Sequence, residues 1–211
     1  MSRAARWILI AALAAGLPLG QAALANDVNL LYGQKSLGED EFDVAGVDGQ
    51  TQWGLMVNLE FDWPVALAVD ILSSSDENTE SIVTGIQGYD LAFTTEVETM
   101  ELDVGVRKFW DWKVEPYIGG GIAYIQLDAK QTEFGSFLGN PFSDVLLDDD
   151  DSALGFWIDA GLIYRLGRKF NVGLDIRYSD SSADLTPVGF AESIKLDSGG
   201  THYGIMLGYH W

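Results

Sequence analysis

Eight segments of this sequence alternate apolar and polar side chains with a period of two, and the links between them are short and long by turns. Period two marks a β-strand with two unlike faces. The segments lie near residues 27–37, 50–62, 64–74, 93–109, 114–131, 153–166, 169–181 and 200–211. Only Asp62-Trp63-Pro64, Trp110-Asp111-Trp112-Lys113 and Leu166-Gly167-Arg168 stand between segments two and three, four and five, and six and seven. The remaining links, 38–49, 75–92, 132–152 and 182–199, are long and polar. Antiparallel pairing needs only tight hairpins, so four long links must serve something else. The pattern predicts an all-β, eight-stranded antiparallel up-and-down barrel with its turns at one end and its loops at the other.

Residues 1–25 read as a secretory leader. Arg3 and Arg6 precede an apolar run from Trp7 to Leu17, and Ala23-Leu24-Ala25 supplies the small residues of a cleavage site before Asn26. The barrel domain is then expected over 26–211. No other stretch is apolar for long enough to cross a membrane as a helix. There is no cysteine, so neither disulfides nor an acylated N-terminal thiol can hold the exported chain. With Arg3 and Arg6 removed, ten bases face 32 acids. Such a surface suits neither nucleic acid nor anionic membrane surfaces. Hydrophobic content of 47% nevertheless excludes a disordered acidic chain.

Aromatic spacing indicates what the apolar face meets. Trp53 and Phe61, Phe156 and Tyr164, Phe170 and Tyr178, and Tyr203 and Trp211 are pairs eight residues apart on one strand face. On a strand tilted as in membrane barrels, that spacing climbs roughly 20 Å, close to the height of an apolar band between two aromatic girdles. Trp63, Trp110 and Trp112 fall at the short-turn end, where indoles sit well between hydrocarbon and water. A soluble lipocalin-like barrel would have the same alternation turned inside out. Side-chain size decides between them. The apolar face carries Trp, Phe, Tyr, Leu and Ile, the other carries Gly, Ala, Ser and Asn, and eight strands leave room inside only for the small set.

The inward parity collects Glu60, Asp70, Glu101, Asp103, Arg107, Asp159, Arg165, Asp175 and Arg177. Asp70, Asp103, Asp159 and Asp175 fall near mid-height with Arg177, and with Lys35 or Arg107, in reach. They form either a paired network that plugs the lumen or a narrow acidic passage for cations; the small lumen favours the plug. Trp157 is an exception, pointing inward by parity. In PYIGGGIAYI, 116–125, both faces are apolar, and a bend or bulge is expected there.

These residues, with the ending YGIMLGYHW, resemble the small outer-membrane β-barrels of Gram-negative bacteria, of the OmpA and OmpX type. The resemblance spans the mature chain. It implies insertion among outer-membrane lipid and lipopolysaccharide by the barrel-assembly machinery, which recognises a last strand ending in an aromatic. Tyr203, Ile205, Leu207, Tyr209 and Trp211 match, with Trp for the commoner Phe, and Tyr209 and Trp211 are the expected assembly signal. Unlike the larger OmpA-like proteins, the chain is expected to carry no peptidoglycan-binding domain after the barrel.

Motifs for chemistry are weak. Some small barrels modify lipid A with a His, a Ser and an acid, and His202 with Ser198 imitates part of such a site, but no positioned nucleophile accompanies it. His202 and His210 lie too far apart to share a metal. GGG, 119–121, lacks the phosphate-loop pattern and a following helix. LDDDDS, 147–152, offers oxygen ligands without the EF-hand glycine or spacing, and reads as a solvated loop tip. The expectation is a barrel without enzymatic activity, cofactor or metal, with a structural or surface-interaction role and four long acidic extracellular loops. A narrow channel and a lipid A enzyme are the alternatives. Loops carry function without a period, so the loop partner is not legible.

Overall fold

The computed structural model describes residues 25–38, 45–83 and 86–211. The expected leader, except Ala25, lies outside the described residues, as do 39–44 and 84–85.

Eight strands close into one barrel. They are β1 (Ala25–Ser36), β2 (Gly49–Glu60), β3 (Ala66–Ile82), β4 (Tyr89–Phe109), β5 (Glu115–Phe137), β6 (Asn140–Leu166), β7 (Phe170–Asp180) and β10 (Gly200–His210). Two short strands, β8 (Ser182–Leu185) and β9 (Ile194–Asp197), pair separately. Closure occurs at β1, where Leu30 stands opposite Leu55 of β2 and Leu207 of β10. The ring has no edge, so its backbone polar groups pair within the sheet, as hydrocarbon requires.

The faces follow the expected parity. Leu30, Ile122, Leu174, Ile205 and Leu207 are exposed on the exterior, whereas Leu31, Asp70, Asp103, Trp157 and Arg177 point inward and are buried. Glycines make that interior possible. A Cβ on Gly119 would lie 2.5 Å from Asp159 Oδ1 and 2.6 Å from Arg107 Cγ.

Three expectations need correction. The glycine-rich start of β5 carries no bulge: its register with β4 is unbroken, and the irregularity against β6 falls at Gln131/Thr132. Ile118, Ile122 and Tyr124 face out, and Gly119, Gly121 and Ala123 lie on the inner face of the same strand. Residues 75–92 and 132–152 are not long loops. They are the continuing arms of two hairpins, paired as far as Ile82↔Leu91 and Phe137↔Asn140. Alternation vanishes there because neither face of a strand beyond the bilayer has to be apolar. Likewise 182–199 contains β8 and β9.

Candidate functional site: a filled lumen and a projecting sheet

The lumen is built around Arg107 on β4 and Arg177 on β7. Arg107 forks onto both oxygens of Asp70, with Nη1 at 3.1 Å from Oδ1 and Nη2 against Oδ2, and reaches Asp159 at 2.8 Å and Asn58 at 2.8 Å. Arg177 binds Asp103, donates to Asp70 at 2.6 Å and approaches Asp159 at 3.4 Å. Asp175 lies 3.9 Å from the Arg177 Nε and accepts the Tyr117 hydroxyl at 2.5 Å. The indole of Trp157 packs under both cations, at 5.2 Å from the Arg107 and 5.0 Å from the Arg177 guanidinium carbon. The four aspartates and Arg177 anticipated near mid-height therefore do meet. Arg107 joins them, while Lys35 does not.

Lys35 belongs to a second polar group toward the ribbon end. Its ammonium pairs with Glu101 and donates to the Ser198 carbonyl at 2.7 Å and to Thr99 Oγ1 at 3.3 Å. His202 sits beside it, with Gln52 Nε2 2.7 Å from Nδ1 and Ser179 Oγ 3.0 Å from Nε2. The ring is thus held through both nitrogens, by the Gln52 amide on one side and the Ser179 hydroxyl on the other. Ser198, the serine expected beside His202, uses its carbonyl on Lys35 instead.

Apolar side chains pack around these groups. Leu31, Met56, Leu72, Tyr117, Ile163 and Met206 form one cluster. A second gathers Leu37, Val47, Val97, Leu127 and Ala129 with Ala183, Leu185 and Leu196 of β8 and β9, so the small ribbon caps the lumen. This cap was not legible in the sequence, since Leu185 and Leu196 sit singly among polar residues. The acid run of LDDDDS lies within β6 and helps to hold the cap: Asp149 accepts the Thr186 N–H at 2.7 Å and Asp151 the Asp184 N–H at 2.8 Å. Among the described residues no three His, Cys, Asp or Glu are placed to hold a metal ion. At the short-turn mouth Arg165 forks onto Asp27, 3.0 Å, and Glu115, 2.7 Å, tying β6 to β1 and β5.

The exterior aromatics fall into two sets. Toward the ribbons, Trp53 packs on Tyr32 with centroids 4.4 Å apart, Phe156 on Tyr178 at 6.2 Å, and the Tyr203 hydroxyl donates to Gln34 at 2.9 Å. At the short turns, Phe170, Tyr209 and Trp211 form a chain of contacts at 5.9 Å each, and half-buried Phe61 packs on Trp63 at 5.3 Å. Trp110, Trp112 and Tyr164 are exposed there as well. Tyr32 was missed because its strand lacks a partner ring eight residues on.

Beyond the ribbon-end aromatics, β3, β4, β5 and β6 continue together as a four-stranded antiparallel sheet. Its charge is one-sided: six acids and no base over 75–100, and seven acids against Lys130 alone over 126–151.

Residues 8–210 match the family described as outer membrane protein beta-barrel domain. Among solved structures, the chain is similar to OprG from Pseudomonas aeruginosa, with 13% identity, a TM-score of 0.56, and coverage of 91% of this chain and 98% of that one. It is similar also to Ail, the attachment invasion locus protein of Yersinia pestis, solved in complex with the heparin analogue sucrose octasulfate: 14% identity, a TM-score of 0.52, and coverage of 89% and 98%. No curated protein sequence matches the chain.

Proposed function

The chain belongs to the outer membrane protein β-barrel family, and from that premise we propose that it is a non-conducting barrel that holds an acidic sheet out from the cell outer membrane for contact with surface partners. The observation that carries this reading is the continuation of β3–β6 past the aromatic exterior, paired to Ile82↔Leu91 and Phe137↔Asn140. A barrel that only spanned the bilayer would need strands of about 9 to 11 residues; β5 has 23 and β6 has 27.

The lumen supports the first half of the proposal. Lys35, Asp70, Asp103, Arg107 and Trp157 have no accessible surface, so an ion would have to break a bonded pair to pass. One observation favours a narrow cation path instead: four carboxylates, Asp70, Asp103, Asp159 and Asp175, surround only two guanidiniums. Catalysis is disfavoured by the placement of His202, which is buried inside the barrel with both ring nitrogens engaged, by Gln52 and by Ser179.

Residues 1–25 serve as the export leader in this reading. The barrel-assembly machinery takes β10 with Tyr209 and Trp211 as its signal, and the two aromatic sets seat the barrel among lipid and lipopolysaccharide. A polyanion such as the sucrose octasulfate bound by Ail would be repelled by the acidic sheet here, so partners of opposite charge are indicated.

Because the chain has no cysteine, a single Gly139→Cys change at the β5–β6 tip gives a clean test. Intact cells treated with a membrane-impermeant maleimide should label it fully. Labelling only after cell disruption would contradict the surface reading.

A further inference from the structure

The tips of the two projecting hairpins enclose a cleft of about 800 Å³, lined by Ile82, Val83, Leu91, Phe134 and Phe142 among others. Three contacts fix its shape. The Leu138 N–H donates to the Gly88 carbonyl at 2.7 Å, linking one tip to the other. Tyr89 stacks on Phe142 with centroids 6.1 Å apart and meets Phe137 edge-on at 6.0 Å. The apolar surface is therefore assembled in advance.

Register places acids on the same face as Ile82, Leu91 and Phe142 of the lining. Ile82, Leu91, Gly135 and Phe142 form one row across the four strands, and Glu80, Phe93, Glu133 and Asp144 form the next. Rows two residues apart share a face and lie about 7 Å apart. Glu133 stands directly opposite Asp144, a like-charge pair that destabilises a sheet unless something external offsets it. Among the described residues, none of Glu80, Glu133 and Asp144 is in an ion pair.

The turn itself carries a further sign. Leu138 has a φ of 51° and is 69% exposed, in a position where Asn or Gly would be relaxed. A strained, exposed leucine at the cleft edge is a local cost with no folding benefit in view, the kind of feature that collects at binding sites.

From these observations we infer that the hairpin tips form a docking site for a cationic amphipathic peptide or protein segment, whose apolar side chains enter the cleft while its Lys or Arg side chains meet Glu80, Glu133 and Asp144. This rests on the surface reading above. Anionic glycolipids and sulfated glycans meet the wrong charge, and a purely basic segment leaves the cleft unfilled.

The test uses the full barrel in phosphatidylcholine nanodiscs, with empty discs as blank, and a fluorescein-labelled peptide of lysine, leucine and tryptophan read by anisotropy. The peptide should bind, more weakly as salt rises. The paired changes Glu133→Gln and Asp144→Asn should weaken binding about tenfold and flatten the salt dependence. Leu138→Asn, which relaxes the turn, and Phe142→Ser should each weaken it about tenfold while the salt dependence persists. A heat-dependent gel shift like the parent's verifies that each variant is folded. Absence of binding, equal binding by all variants, or equal binding of a lysine-only peptide or of the peptide with Glu in place of Lys would each overturn the assignment. Full labelling of Gly139→Cys on intact cells alongside a failed peptide would remove this partner alone; failed labelling would remove the surface reading beneath it.

Discussion

Arg107 and Arg177 come from β4 and β7, which are not neighbours in the barrel, yet they share two carboxylates: Asp70 and Asp159 each accept from both. Together with Trp157 they link β3, β4, β6 and β7 across the lumen. A buried ion pair stabilises little relative to well-packed apolar residues, because desolvation offsets the attraction. Loss of one member is a different matter, since its partners stay buried and unpaired. In the proposed non-conducting reading, the network selects one cross-section for the barrel and keeps the lumen shut.

Arg177→Ala removes the contacts to Asp70, Asp103 and Asp159 and leaves buried carboxylates behind. Unfolding in detergent micelles should show a loss of about 3 to 5 kcal/mol, with a lower temperature for the gel shift. An unchanged unfolding midpoint would mean that the pairs do not act as a unit.

Trp157 is fully buried and underlies both guanidiniums. Truncation to Ala should cost about 3 to 5 kcal/mol through the cavity and the lost cation contacts. Trp63→Ala, on an exposed indole at a short turn, should cost far less in the same unfolding assay.

At Gly119 even one methyl group meets Asp159 and Arg107. Gly119→Ala is expected to destabilise by about 1 to 3 kcal/mol. At Gly49 a Cβ meets nothing within 4 Å, so Gly49→Ala should stay within about 0.5 kcal/mol of the parent. Equal effects at the two positions would argue against the tight inner face.

What the sequence disclosed depended on where the bilayer imposes a rule. Within the hydrocarbon, Leu30, Ile205 and Leu207 must face out and Asp70 or Arg177 must face in, so alternation and parity were readable residue by residue. Past the aromatic rows that rule lapses. SDENTESI and LDDDDS continue β3 and β6, but with no lipid face to keep apolar they read as loop. The pairing of Arg107 with Asp159 depends on register around the ring, which a one-dimensional pattern does not contain. The cap was hidden for a related reason: Leu185 and Leu196 are eleven residues apart in the sequence and meet only through the pairing of β8 with β9.

The lipid face makes its own prediction. Leu174 is exposed on the exterior, opposite Leu162 and Ile205 in neighbouring strands. Leu174→Arg should reduce folding stability into lipid vesicles by about 2 to 4 kcal/mol, the cost of a cation near the bilayer midplane. No loss would mean that this face does not meet hydrocarbon.

Single-channel recording in planar bilayers tests the central claim most directly. A lumen filled by Arg107, Arg177, Trp157 and Lys35 and capped by Leu185 and Leu196 should leave the membrane silent at every voltage it tolerates. Reproducible cation-selective current steps from the purified parent protein would contradict the account and favour the acidic passage.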